Sequence, residues 1–108
     1  MANTFKSNVA ANIVTSGNTV YTCPSATQTT LIGLTIANKS GSTITANTYL
    51  TRGAVDYAII ANAPILPGST LVPVGGDQKV VLQAADVLKV TVSANASIDV
   101  IASLLEIA

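Results

Sequence analysis

Apolar and polar residues alternate with period two along most of this chain. Turn-forming residues break the alternation at roughly the eight-to-twelve-residue spacing of sandwiches and barrels. A first short strand is expected at "NTVYTCP" (Asn18 to Pro24), after a Ser16-Gly17 turn. "TTLIGLTIAN" (Thr29 to Asn38) follows. Its core face is expected to be Ile32, Leu34 and Ile36, with Leu31, Gly33, Thr35 and Ala37 on the other side. A polar turn, "NKSGS", with a glycine free to take positive φ, leads into "TITANTYLTR" (Thr43 to Arg52), whose inward side is read as Ile44, Ala46, Thr48 and Leu50. Arg52-Gly53 closes that strand, and "VDYAIIANA" (Val55 to Ala63) is its expected hairpin partner.

In the second half, "PILPGS" (Pro64 to Ser69) reads as a loop. Pro67 and Gly68 fit the central positions of a type II turn, where proline fixes φ and glycine supplies the positive one. "TLVPV" (Thr70 to Val74) is placed at a sheet edge or near its end, because Pro73 has no N–H to give a ladder. Gly75, Gly76 and Asp77 read as a hairpin turn into "KVVL" (Lys79 to Leu82). "VLKVTVSA" sets Leu88, Val90 and Val92 on one face, Asn95-Ala96 turns the chain, and "SIDVIASLLEI" (Ser97 to Ile107) is the last strand. That strand is apolar on both faces. Ile98, Val100, Ala102 and Leu104 form one; Ile101, Leu105 and Ile107, diluted by Asp99 and Ser103, form the other. It is either a central strand covered on both sides or a strand whose outer half meets another subunit. The pattern defines an all-β fold: a single antiparallel β-sandwich, jelly-roll or Ig-like, of about eight short strands. Residues 1–108 form one domain, with 1–17 an N-terminal arm or edge strand.

Composition adds one strong constraint. Only 9% of the residues are charged, against about 25% in an average soluble domain. The surface is therefore Thr, Ser, Asn and Ala, or it is covered by partner chains, since interface cores are depleted in charge. The net charge is zero and the basic residues Lys6, Lys39, Arg52, Lys79 and Lys89 are scattered. They make no basic patch, which argues against nucleic acid as a partner. No run approaches the roughly 20 apolar residues of a membrane helix, and no signal peptide is visible. The expectation is synthesis in a cytoplasm without membrane association or export by the general pathway.

Candidate chemistry is sparse. The chain has no histidine, so Ser-His-Asp and Cys-His arrangements cannot form. Asp56, Asp77, Asp86, Asp99 and Glu106 are dispersed and no pair has metal-ligand spacing; no cofactor or metal is expected. "GGDQK" resembles part of a phosphate loop but runs into a strand, not the helix N-terminus that such a loop requires. Asp86 reads as a turn residue before a strand, and lone Cys23 as a small apolar strand residue. Tyr21, Tyr49 and Tyr57 read as half-buried strand tyrosines with hydroxyls in water; a glycan platform would need them to converge on one outer surface. What remains is a set of candidate contact residues: Ile65 and Leu66 in an apolar loop between prolines, Tyr57, and the outer residues Ile101, Leu105 and Ile107.

Two stretches, "VYTCPSATQTTLIGLTIANKSGSTIT" and "APILPGSTLVPVGGDQKVVLQAADVLKVTVSANASIDVIASLLEI", together cover most of Val20 to Ile107. Their order of strands and turns resembles a group of small virion proteins of tailed bacteriophages, including phages of cyanobacteria. Those proteins carry glycine near Ala26 or Thr27 and before Asp86, where this chain has Ala85, so these turns are expected to be shaped differently here. The resemblance implies a non-enzymatic β-sandwich built into the virion, foremost a capsid decoration or cement protein that binds the major capsid protein and copies of itself. A trimer is set ahead of a dimer by analogy with decoration proteins at threefold positions. The alternatives are a neck, tail or fibre accessory protein, and a receptor- or glycan-binding module.

Overall fold

The structure is a computed structural model that describes residues 3–75, 79–95 and 98–108. Among these residues it contains nine strands: β1 (Asn3–Ala10), β2 (Asn18–Thr22), β3 (Gln28–Asn38), β4 (Ile44–Arg52), β5 (Val55–Ile65), β6 (Thr70–Val74), β7 (Val80–Leu82), β8 (Val87–Val92) and β9 (Ile98–Ile107). They form two antiparallel sheets. One has the order β1-β9-β3-β6, with β7 also paired to β3; the other has the order β2-β8-β4-β5. The chain crosses between sheets at almost every connection; only β4–β5 and β6–β7 stay within one. An Ig-like sandwich sets strands in the order ABED against CFG. Here the last strand lies between the first and the third, and β8 lies between β2 and β4, which is the double Greek key of a jelly roll.

The core forms between the sheets because the period-two alternation gives each strand one apolar side. Ile98, Val100, Ala102 and Leu104 of β9 meet Leu88, Val90 and Val92 of β8, and all are buried. On β4, Ile44, Ala46 and Thr48 point inward as the pattern indicates. On β3 the inward set is Leu31, Leu34 and Ile36, not Ile32, Leu34 and Ile36. The cause is a register shift between Leu31 and Gly33 against β9: one extra residue reverses the phase of the alternation.

Turn chemistry sets the corners. Arg52 pairs with Val55 across Gly53 and Ala54, whose φ values are 61° and 64°, the two positive values of a type I′ hairpin. At the β3–β4 crossing between sheets, Asn38 is buried and fully bonded. Its Nδ2 donates to Ser42 O (2.8 Å) and Ile65 O (2.9 Å), and its Oδ1 accepts from Ser40 N (2.9 Å) and Ser40 Oγ (2.6 Å). The Asn38 backbone also bonds Ser69 and Gly68, so one side chain and its peptide tie three segments together. Gly41 in this turn is not among the residues with positive φ.

Two further departures follow from partners distant in sequence. The strand β5 runs on through Pro64 and Ile65, beyond the expected loop start, because Thr45 and Ile44 pair with them. As an edge strand it tolerates a proline. The strands β6 and β7 do not pair with each other. Both lie antiparallel to β3, with Val74 opposite Leu34 and Val80 opposite Leu31, so they run in the same direction along one edge. The stretch between them is therefore not the turn of a two-stranded hairpin; the turn expected at Gly76 and Asp77 itself lies outside the described residues, as do Ala96 and Ser97 at the start of the last strand. Ala26 and Ala85 stand at the two turns where the resembled proteins carry glycine. Both residues hold left-handed φ, 54° and 72°, the conformation that glycine adopts freely and alanine does not.

Candidate interaction face

The two sheets differ in what they turn outward. On the β2-β8-β4-β5 sheet the outer positions of β4 are Thr45, Asn47, Tyr49 and Thr51, and the last three stand opposite Thr91, Lys89 and Val87 of β8. All but Val87 are polar, and Asn47 Nδ2 donates to Thr91 Oγ1 (3.2 Å) across the two strands. The outer side of the β1-β9-β3 sheet is built in rows across the strands, since directly paired residues share a face. One row is Phe5, Leu105, Thr30 and Val81. The next is Ser7, Ser103 and Gly33, and the next Val9, Ile101 and Thr35. Phe5 (76% exposed), Val9 (71%) and Ile101 (49%) stand open to solvent, with Val81 and Val72 at the far edge. Among the outward strand positions of this sheet only Asp99 is charged, and Lys39 Nζ neutralises it at 2.9 Å. Apolar patches of this kind mark contact surfaces in soluble domains.

Of the residues singled out from sequence, Ile101, Leu105 and Ile107 share this face. Tyr57 is exposed on β5, and Leu66 is exposed at the β5–β6 turn; neither is on a strand of the same sheet. Ile65 is not a contact residue: it is 2% exposed and packs in the core opposite Ile44, because β5 extends far enough to carry it inward. In the turn that follows, Gly68 has φ of 74° and Ser69 N donates to Leu66 O at 3.0 Å. Gly75 is partly buried, and a side chain there would press on Val72. Sequence reasoning missed Phe5, Val9, Val72 and Val81. The four-residue spacing of Phe5 and Val9 in "NTFKSNVA" signals a shared face, but the core-facing residues of β1 include Lys6 and Asn8, so β1 does not read as a core strand.

The ionisable groups serve the fold. Arg52 Nε and Nη2 donate to Asp86 Oδ1 (2.9 Å) and Oδ2 (2.6 Å), and Gln83 N donates to Oδ2 (2.7 Å). The Arg52 guanidinium holds the buried Asp86 carboxyl below the usual carboxylate range, against the opposing effect of burial. Asp86 thus does more than cap a turn: it clips β4 to the start of β8. Tyr21 is 4% exposed, not wet. Its hydroxyl donates to Glu106 Oε2 (2.5 Å) and so accepts from Thr29 Oγ1 (2.8 Å). Burial first, then the bond to Glu106, push this phenol above its ordinary range. Lys6 Nζ lies 3.6 Å from the same carboxylate, tying β1 to β9. Cys23 is buried within reach of Thr29 Oγ1 and two carbonyls. With Tyr21 buried, and Tyr57 paired with inward Leu50 while Tyr49 faces outward, the three tyrosines do not converge.

No group of three or more metal-ligating side chains occurs among the described residues. A cleft of about 620 Å³ at one end of the sandwich is lined by Ala26, Thr27, Gln28, Gln83, Ala84, Ile107 and Ala108, none with an ionisable side chain. No helix among the described residues is long and apolar enough to cross a membrane.

No protein-family model matches the sequence, and no curated protein matches it. Among solved structures, the chain is similar to one from Bacillus endospore appendages, described as a family of disulfide-linked pili, with a TM-score of 0.54 and 8% identity over 97% of this chain and 84% of that one. It is also similar to a chain of the IBDV viral particle, with a TM-score of 0.53 and 10% identity over 96% of this chain. This chain covers only 30% of that viral chain. At these identities the likeness is one of fold.

Proposed function

We propose that this protein is a non-enzymatic structural component of a bacteriophage virion, a capsid decoration or cement protein that acts in many copies. The observation that carries the reading is the outer face of the β1-β9-β3 sheet, which exposes Phe5, Val9 and Ile101 and whose one charged outward strand position, Asp99, is paired with Lys39, set against a largely polar face on the opposite side of the same sandwich. A sandwich with one such face is suited to lie on a protein surface and present its polar side to water. The fold supports the reading, since similar folds occur in a pilus and in a viral particle. So does the resemblance of the sequence to small tailed-phage virion proteins.

The test is binding of purified protein to virions that lack it, followed by densitometry of the reconstituted particles. A decoration protein on the shell lattice reaches a few hundred copies, whereas a neck or tail component stops at about six or twelve, the count of a ring. Saturation at the ring count moves the protein to the neck or tail. Absence of binding refutes the virion role.

A further inference from the structure

We infer that β1 is an exchangeable arm: in a pair of copies it leaves its own sandwich and completes the β9 edge of its neighbour. The exchange does not depend on what the outer face lies against, because Phe5 and Val9 return to the same places on the neighbour. Four observations carry it.

The first is how β1 is held. Its ladder runs to β9 alone, from Asn3 opposite Ile107 to Ala10 opposite Val100, without a register shift. No residue of β1 is buried, and only Ala10, at its end, packs against the core. Removing the strand therefore leaves the core in place. What it uncovers is an edge.

The second is the nature of that edge. The strand β9 is ten residues long. Without β1 it offers a row of N–H and C=O groups that another strand readily fills. It is also fitted to β1 in particular. Glu106 holds Lys6 Nζ at 3.6 Å, and Lys6 Nζ lies 6.0 Å from the centre of the Tyr21 ring. Val20 O accepts a bond from Asn8 Nδ2 at 3.0 Å. A strand that answers both groups at the right spacing is another β1, and exchange remakes each of these contacts between copies.

The third is the hinge. Ala11 and Asn12, both exposed, join β1 to a segment that is tied down. Ile13 is fully buried, and its N–H donates to Ile98 O at 3.2 Å. Val14 N donates to Asn18 Oδ1 (3.1 Å) and Thr15 N to Asn95 Oδ1 (2.9 Å). At Asn12 the chain takes φ of 55°, a left-handed conformation that asparagine tolerates at some cost. An arm that runs straight on to a neighbour needs no such turn. Short hinges under strain favour this kind of exchange.

The fourth is symmetry. The bond from Ile13 N to Ile98 O sets each hinge beside the start of its own β9. So short a hinge reaches a neighbour only when the start of that neighbour's β9 lies next to it. The neighbour's hinge then lies next to the donor's β9 as well, and both arms exchange about a two-fold axis. The unit is a closed pair, where family analogy favours a trimer.

The test is the double variant Ser7→Cys with Ser103→Cys. These positions are exposed and face each other across β1 and β9, while native Cys23 is 1% exposed. Protein refolded from urea at about 100 μM, where a micromolar dimer is largely formed, is treated with a short bifunctional thiol reagent and run on a denaturing gel. The two single variants are the controls. Exchange is expected to give a covalent dimer from the double variant and monomers from the single ones. A covalent monomer, or a wild type that sediments as a monomer at this concentration, overturns the inference. Dimers from the single variants as abundant as those from the double variant also overturn it, because the link then does not report β1 on a neighbour's β9. Asn12→Pro is a second measurement. Proline fixes φ near about −65°, which closes the turned-back path of the arm, so dimerisation is expected to tighten at least tenfold in sedimentation. An Asn12→Pro dimer no tighter than wild type overturns the inference. A cross-linked dimer that fails to bind virions leaves the exchange standing and refutes the virion role.

Discussion

Replacing Ala85 by glycine is expected to stabilise the protein. Ala85 is the third residue of the turn Gln83 to Asp86, which Asp86 N closes onto Gln83 O at 2.9 Å. It holds φ of 72°, the position at which a type II turn calls for glycine. An alanine there costs about 1–2 kcal/mol of backbone strain. Glycine removes the strain but gives back about 0.5–1 kcal/mol through the greater freedom of its unfolded chain. The net gain is about 0.5–1 kcal/mol. Unfolding entropy of about 2.1 cal/mol/K per residue amounts to about 0.23 kcal/mol/K for this chain, so Tm rises by about 2–4 °C. The bond from Ala85 N to Cys23 O (2.9 Å) survives the change. Neighbouring Ala84 is the control: it is exposed and is not among the positive-φ residues, so Ala84→Gly pays the entropy with no strain to relieve and lowers Tm by about 2–4 °C. Ala26→Gly, at φ of 54°, behaves like Ala85→Gly. Thermal melts by circular dichroism read all three. A lower Tm for Ala85→Gly, or the same sign for Ala84→Gly and Ala85→Gly, refutes the reasoning.

Other outcomes follow from single side chains. Asn38→Ala strips a buried carbonyl, Ile65 O, of its donor and removes three further bonds; a loss of about 3 kcal/mol is expected in urea titrations, with Asn38→Asp lower still because a carboxylate would face two carbonyls. Adjacent Ile65 and Leu66 separate cleanly: Ile65→Ala costs about 2–5 kcal/mol as a core truncation, and Leu66→Ala stays within about 0.5 kcal/mol. Asp86 has a folded pKa below its unfolded value of about 3.9. Its contribution is complete above that value and disappears as pH falls through the folded one, so Tm of wild type drops between pH 5 and pH 2 and the Asp86→Asn variant gives a flatter profile there.

Strands buried on one side were legible from sequence. Leu88, Val90 and Val92 of β8, and Ile98 to Leu104 of β9, alternate without a break and are buried as the pattern says. The β4–β5 hairpin was legible because its turn is local. Reading failed where a distant partner decides the outcome. The inserted residue at Ile32 reversed β3 relative to the plain period; the one local sign was Gly33, since an isolated glycine inside a strand often marks a bulge, but the period alone does not show it. Glycine-rich residues between two strands suggest that the strands pair with each other, but β6 and β7 each pair with β3, a partner distant in sequence. The outer face was half visible. Ile101, Leu105 and Ile107 stood out because β9 is apolar on both sides, while Phe5 and Val9 lay on a strand with polar core-facing residues. The Tyr21–Glu106 bond joins residues 85 positions apart and has no sequence signature.

The interruption between β6 and β7 limits how chains can aggregate. An open sheet edge templates fibre growth when it offers an unbroken run of N–H and C=O groups. On this side of the sandwich Pro73 withholds a donor, β6 stops at Val74, and among the described residues the next pairing along β3 is that of Val80. A neighbouring strand finds two short footholds of five and three residues where one long edge would otherwise stand. A protein with so little charge to keep its copies apart gains from a blunted edge: runaway strand-on-strand polymerisation is discouraged along it, and contact through the flat of the sheet, which can close on itself, is left open.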